Sequence, residues 1–533
     1  MSSAIHADSR ASQQRRRRKG TQSHGLLPQP PDDAEKYSYT RRHLWVLTVG
    51  SLISFACLAV SQFLFTASSP WFWLTMPLLA VVVTDYLISL YLDGLSSDFD
   101  VRAHKTLVRE WRPAVHPSVD VFLPVCGEPL EVLHNTWVNV NRLADTYRGV
   151  VNVYVLDDAA DSEVGAMARD FGFHYVVREN RGWFKKAGNL HHAFGITNGD
   201  HILILDADFA PRADLLDELL PYMDADDSVG IVQSPQFFRI TDRQNWIERG
   251  AGAVQEQFYR SVQTSREAKD GSICVGSCAV YRRSALAQIG GITLIEHSED
   301  MYTGFDLRAL GWKLRYVPVA LSAGVCPDTA GAFHNQQYRW CMGSLELITG
   351  KRFWELDLKF QTRLCYISGF LYYIQTALAT FLMPVIPLSL LVLRPDLMRA
   401  EAAMWVLPSV AYVTLVLPLW HRAPYRLEAW AVRMMYGWSH VFAVWDMLRG
   451  RPMGWKPTGS QGAKKNGMRR YWIGMVGWTG GTAALWVLVA GWRMLTEYPP
   501  DFALMLSAGL FYAIVVGRVL VQPRARETQE ATV

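Results

Sequence analysis

The 533-residue chain contains no Gly-x4-Gly-Lys-Ser/Thr loop and no Gly-x-Gly-x-x-Gly fingerprint. ATP hydrolysis and dinucleotide redox chemistry therefore lack their usual support. Cysteine is scarce, with seven in all. Cys57 and Cys365 fall at or in apolar runs and the others are expected in a reducing compartment, which argues against a disulfide framework. Cys274 and Cys278 lie close together, but no second Cys or His pair at zinc spacing accompanies them, so structural zinc is not expected. Charged residues make up 19% of the chain and nearly balance, with 53 Lys and Arg against 49 Asp and Glu. That balance argues against a nucleic-acid partner. The opening MSSAIHADSRASQQRRRRKG is polar and basic, unlike a cleaved signal peptide. Residues 1–43 are expected to form a disordered cytoplasmic tail.

What is abundant is apolar surface: half of the residues are hydrophobic and 20 are Trp. Six runs, Leu44 to Ala67, Trp71 to Leu92, Tyr366 to Leu393, Ala402 to Trp420, Trp472 to Trp492 and Phe502 to Val521, are nearly free of charge. Each has about the twenty residues needed to cross roughly 30 Å of hydrocarbon. Six spans in a two-plus-four pattern are expected, over residues 44–92, 365–420 and 472–521. The basic residues Arg41, Arg42, Arg102, Lys105, Lys351, Arg352 and those from Arg422 to Arg470 then fall on one side. By the positive-inside rule that side is the cytoplasm, so the expected location is the plasma membrane with both termini, including the tail 522–533, inside.

Between the second and third runs lies a cytoplasmic insert, residues 93–364, of a size for one α/β domain. Its short β-branched runs VDVFLPV, VVNVYVLDD and HILILDAD are each followed by polar residues and a helical pattern. This alternation predicts a largely parallel, doubly wound sheet with ligands at the carboxyl ends of its strands. At those ends stand Asp157 and Asp158, then Asp206 and Asp208. Clustered carboxylates demand a cation, donors or protonation. Asp206 and Asp208 offer hard oxygens to Mg²⁺ or Mn²⁺, or alternatively cap a loop or helix. Glu299 and Asp300 in HSEDMYTG can cap a helix or extend the acidic site. WFKKAGNLHHAF brings Lys185, Lys186, Gly188 and Asn189 to a helix start, suited to an anionic nucleotide or to an ordinary basic loop. In HNQQYRWCMG, one helical turn sets Gln336, Arg339 and Trp340 on roughly one face, for a ligand or for a lipid interface.

Taken in order, PVCGEP, VLDDA, KAGNL, DAD, QSPQFF, VGSCAVYRRSAL, HSED and QQYRW resemble the motifs of processive family 2 glycosyltransferases, most closely the bacterial cellulose-synthase branch. The resemblance runs from about residue 118 to 350. It implies a Rossmann-like GT-A domain that uses a UDP-sugar, inverts the anomeric centre, and extends a β-glycan exported through the associated spans. It further implies that Glu128, Asp158, Lys186, Gly188 and Asn189 bind the donor, and that Asp206 and Asp208 hold Mg²⁺ or Mn²⁺. Asp300, beside Glu299, would be the general base; the family's Thr-Glu-Asp here reads Ser298-Glu299-Asp300. Gln336, Arg339 and Trp340 would hold polymer and diphosphate. Cys278 would lie near the acceptor end as a channel-entrance or packing residue. Residues 421–471 would supply an amphipathic interface helix and a gating loop with Trp455, Lys456, Thr458 and Lys464. A C-terminal cyclic-di-GMP-binding domain is not expected.

Implied partners are the UDP-sugar, the growing glycan, membrane lipids and accessory export subunits. UDP-glucose and a cellulose-like product are favoured by the SCA and FF segments. UDP-GlcNAc, as in chitin or hyaluronan synthases, and GDP-mannose stand as alternative donors, and an inactive carrier or lipid-binding protein as a reading of another class.

Overall fold

The computed structural model describes residues 27–68, 73, 76–94, 96–451 and 465–521. Its catalytic-sized insert is built on a seven-stranded mixed sheet in the order β3-β2-β1-β4-β8-β6-β9. The strands are β1 (Val119–Val125), β2 (Val151–Asp157), β3 (His174–Val176), β4 (His201–Ile204), β6 (Val229–Gln233), β8 (Ala279–Arg282) and β9 (Lys313–Tyr316). A second sheet joins β5 (Ala210–Pro211), β10 (Ser322–Gly324) and β7 (Gln236–Phe238). Alternation divides the main sheet's side chains between two faces. Val119, Val121, Leu123, Leu203 and Val280 enter one buried cluster, while Phe122, Ile202, Ile204 and Tyr281 enter another. Burial on both faces is why these strands read as continuous apolar runs.

The main sheet is largely parallel, and its one reversed strand is β8, which runs antiparallel between β4 and β6. This reversal matters for function. Strands β1, β2 and β4 are mutually parallel, so their carboxyl ends share one edge. The antiparallel β8 brings its beginning, Ala279 opposite Ile204, to the same edge. Segments that would lie at opposite ends of a purely parallel sheet therefore converge.

Residues 27–43 are not a disordered tail. Asp32 caps the short helix Asp33–Lys36 in a reciprocal capping box with Glu35. The Lys36 ammonium is buried and donates to Asp214 at 2.7 Å and Glu218 at 2.5 Å. Arg42 is fully buried, with its Nε 3.1 Å from Asp98 Oδ1. A buried cation is tolerated because carboxylates compensate it. Residues 1–26 lie outside the described residues.

Among the described residues, four helical stretches are long and apolar enough to cross a membrane: Leu44–Leu64, Phe360–Leu393, Arg469–Thr496 and Pro499–Leu520. The other two apolar runs differ from the expected full-length helices. The second forms the helix Met76–Ser89 followed by a π-helical turn, Leu90–Gly94. The fourth is divided into short segments between Ala400 and Trp420, including a π-helical turn at Tyr412–Val416. The expected interfacial helix is Leu427–Leu448, and it is enclosed rather than laid on a surface. Ala429, Ala431, Val432, Met435, Ser439 and His440 are all fully buried. The helix packs against Ala330–Thr349, Phe360–Leu382 and Trp246–Gln257, tying the α/β domain to the apolar helices.

Candidate active site

Asp206 follows directly on β4, and its amide donates to Ser277 Oγ at 2.9 Å, a bond that exists because β8 begins beside the end of β4. The Lys186 ammonium reaches Asp206 Oδ1 at 2.5 Å, the Gly276 carbonyl at 3.1 Å and Glu299 at 3.7 Å. One cation thus joins two acidic motifs, at Asp206 and at Glu299, that are remote in the chain. Burial alone would lower the Lys186 pKa, but Asp206, Glu299 and Asp300 outweigh it and raise the value. Lys186 therefore stays protonated at neutral pH.

The carboxylates around it are under opposing pressure. Burial, then the charge of Asp206, pushes the Asp208 pKa up to about 7. Burial, then Glu299, pushes Asp300 up to about 7, with Lys186 acting in the other direction. Glu128, raised by burial, accepts the Cys126 amide at 2.6 Å and adds its field to Asp208. Such a cluster favours either protonation or an arriving cation. Behind Asp300 lies Gly276 at φ +73°, where an added Cβ would stand 2.6 Å from Asp300 Oδ2. Only glycine allows both that backbone and that approach.

Asp158 is held differently from Asp157. The Arg178 guanidinium donates to both Asp158 oxygens at 2.6 Å, a fork-to-fork pair. Arg178 also donates to the carbonyls of Trp183 at 2.8 Å and Lys185 at 3.0 Å, fixing the loop before Lys186. Gly188 is required here by packing, since an added Cβ would lie 2.0 Å from the Trp183 carbonyl oxygen. Asn189 is buried and donates to the Leu156 carbonyl at 2.8 Å, pinning the helix Lys185–Ile196 to the end of β2. Asp157 accepts the amides of Ala159 and Asp161 and the Tyr175 hydroxyl, which shapes the turn.

The helix Ala330–Thr349 carries Gln336, Arg339 and Trp340, all half-buried. Burial lowers the Arg339 pKa, while Glu299, Asp206 and Asp300 act to raise it, so this guanidinium shares their electrostatic site. Cys278 does not. It is fully buried in the core, with its thiol against Ser322 and its pKa pushed up to about 12 by burial. Its left-handed backbone, φ +58°, accompanies a side chain packed into the core.

Among the described residues no group of three or more His, Cys, Asp or Glu side chains is arranged to hold a metal ion. The pair Asp206 and Asp208 remains as a two-carboxylate candidate. Trp455, Lys456, Thr458 and Lys464 of the expected gating loop lie outside the described residues. Sequence reasoning missed Arg178, which stands in no acidic motif, whereas Gly276 and Ser277 fall within VGSCAVYRRSAL without a contact to the acids being assigned to them.

Residues 201–420 match the family model described as glycosyl transferase family group 2. The chain is 30% identical over 318 residues to the UDP-forming cellulose synthase catalytic subunit of Pseudomonas fluorescens, covering 58% of this chain and 42% of that one. It is 31% identical over 261 residues to the UDP-forming cellulose synthase 1 catalytic subunit of Komagataeibacter xylinus, covering 48% and 35% respectively. The chain therefore spans less than half the length of these curated relatives. A solved mannosyltransferase from Pyrobaculum calidifontis, in complex with GDP-Man and Mn²⁺, aligns with a TM-score of 0.46 and 17% identity, covering 69% of this chain and 98% of that one. Over residues 201–420 the chain is thus similar to the family described as glycosyl transferase family group 2, and over a longer stretch to the catalytic subunits of bacterial cellulose synthases.

Proposed function

We propose that the chain is a membrane-embedded, inverting, processive glycosyltransferase that extends a β-glucan from UDP-glucose and passes it across the plasma membrane from a cytoplasmic catalytic domain. The observation that carries this reading is the convergence of Asp206, Glu299, Asp300 and Arg339 around the Lys186 ammonium at one sheet edge. Cationic Lys186 and Arg339 suit a leaving diphosphate, and a carboxylate with a pKa near 7 suits proton transfer from a sugar hydroxyl.

In this mechanism the acceptor hydroxyl gives its proton to Asp300 as its oxygen attacks the anomeric carbon opposite the departing UDP. Inversion follows from that single displacement, so no carboxylate nucleophile is needed. Lys186 and Arg339 compensate the charge gathering on the diphosphate. Asp158, held by Arg178, shapes the nucleotide end together with the loop before Lys186. Trp340 offers its ring to the acceptor sugar, and Gln336 offers an amide to the polymer hydroxyls.

Asp206 and Asp208 fit a divalent cation. Two half-buried carboxylates in mutual repulsion, completed by substrate phosphates, are a usual donor set for Mg²⁺ and compatible with Mn²⁺. When bound, such an ion would neutralise the diphosphate as a Lewis acid. The buried Lys36 and Arg42 contacts and the enclosed Leu427–Leu448 helix support a catalytic domain seated against the apolar helices. Lipids, and export subunits beyond this chain, are its proposed partners. The reading is tested by incubating membranes that contain the chain with Mg²⁺ or Mn²⁺ and radiolabelled UDP-sugars. A high-mass product from UDP-glucose supports it, and product from UDP-GlcNAc or GDP-mannose alone would reassign the donor.

A further inference from the structure

A cavity of about 560 Å³ lies away from the candidate active site, where the N-terminal segment, the stretch from Asp98 to Lys105 and the residue Arg422 meet. Four cations line it: Arg41, Arg102, Lys105 and Arg422. Among the described residues none of the four makes an ion pair, although Lys105 rests on the Tyr37 ring at 4.5 Å. The cavity also contains two carboxylates, and both are already committed. Asp98 pairs with the buried Arg42 at 3.1 Å, and Asp100 accepts the amides of Arg102 and Ala103 at 2.9 and 3.0 Å. Burial, then Arg260 and Arg41, lowers the Arg422 pKa, with Glu256 acting in the other direction. The four basic groups are exposed and converge on one open cavity, which raises the local potential and favours an anion there.

The position of the cavity identifies the anion. Arg41 stands three residues before the apolar helix that starts at Leu44, and Arg422 two residues after the apolar segment that ends at Trp420. Both therefore sit where an apolar helix leaves the hydrocarbon, the level of phospholipid headgroups. Tyr37 and Phe99 add the aromatic surface suited to that depth. We propose that this cavity binds the phosphate headgroup of an anionic phospholipid, clamping the N-terminal segment to the membrane face of the α/β domain. The proposal rests on the membrane-embedded reading of the chain but not on its sugar chemistry.

The test uses the full chain reconstituted in bilayers of phosphatidylcholine with phosphatidylglycerol, then extracted in mild detergent and weighed by native mass spectrometry for retained lipid. Wild type should keep phosphatidylglycerol selectively. Arg41→Gln/Arg422→Gln and Arg102→Gln/Lys105→Gln should each weaken retention about thirtyfold, at roughly fivefold per cation. Millimolar inorganic phosphate should not displace the lipid. Equal retention by wild type and both double variants overturns the site. Displacement by inorganic phosphate also overturns it, leaving a soluble-anion pocket. Carbonate extraction separates the two levels: release of the protein from membranes would overturn the membrane reading and the site together, whereas a membrane-retained protein without lipid selectivity overturns the site alone.

Discussion

The Lys186 ammonium lies 2.5 Å from Asp206 Oδ1 and 3.7 Å from Glu299, so a single side chain compensates two acidic motifs of the same sheet edge. Lys186→Met keeps much of the volume and removes the charge. It should lower kcat/KM for the UDP-sugar by about 100-fold or more, the scale of losing one preorganised charge at a leaving group. Membrane insertion and expression should be unchanged, and steady-state kinetics on isolated membranes measures the loss.

The raised pKa of Asp300, about 7, makes a signed prediction. The base must be ionised, so kcat/KM should rise with pH up to about 7, with a slope near one below it, and level off above. Asp300→Asn should abolish synthesis. Because the folded pKa lies above the unfolded one, the stability due to the protonated carboxyl is full at low pH and is lost as pH rises through about 7. Asp300→Asn should therefore be more resistant to thermal unfolding than wild type at pH 8, and a melting series from pH 5 to 8 would show the difference growing.

Arg178 and Asp158 form a buried fork. Arg178→Ala would leave the carboxylate unpaired, at a local cost of about 3–5 kcal/mol. The loop from Arg178 to Lys185 should become protease-sensitive while donor affinity falls. Arg178→Lys keeps the charge but not the two-point geometry, and should restore expression more fully than donor binding. Limited proteolysis with and without UDP reads both effects.

Gly276 backs Asp300 so closely that Gly276→Ala should move the carboxylate without touching substrate directly. The left-handed backbone adds about 1 kcal/mol of strain. The expected result is a loss of kcat about tenfold or greater together with a displaced pH profile. An unchanged profile would mean that Asp300 does not transfer the proton.

The sheet's acidic edge was legible because β2 and β4 are period-2 apolar runs that stop abruptly at carboxylates. The partners of those carboxylates were not. Ser277 and Gly276 reach Asp206 and Asp300 only because β8 is antiparallel, and nothing in AVYR specifies its direction. Arg178 finds Asp158 across a loop whose path has no local signature. For Cys278 the resemblance left a channel-entrance and a packing role open, and its thiol lies in the core from a left-handed backbone. Residues 27–43 looked like tail because they continue a polar, basic opening up to the first apolar run. The acids that bury Lys36 are Asp214 and Glu218, remote in the chain. The helix Leu427–Leu448 likewise read as interfacial because its Trp and Arg content suits a membrane surface, whereas its partners enclose it.

The central claim is that the edge gathered around Lys186 and Asp300 polymerises sugar. The most direct measurement compares wild type and Asp300→Asn in matched membranes supplied with radiolabelled UDP-glucose and Mg²⁺ or Mn²⁺, followed by digestion of the product with linkage-specific glycanases. Wild type should yield a high-mass β-glucan that a β-glucanase degrades, and Asp300→Asn should yield none. Equal product from the two proteins, or none from wild type with any nucleotide sugar, would contradict the account.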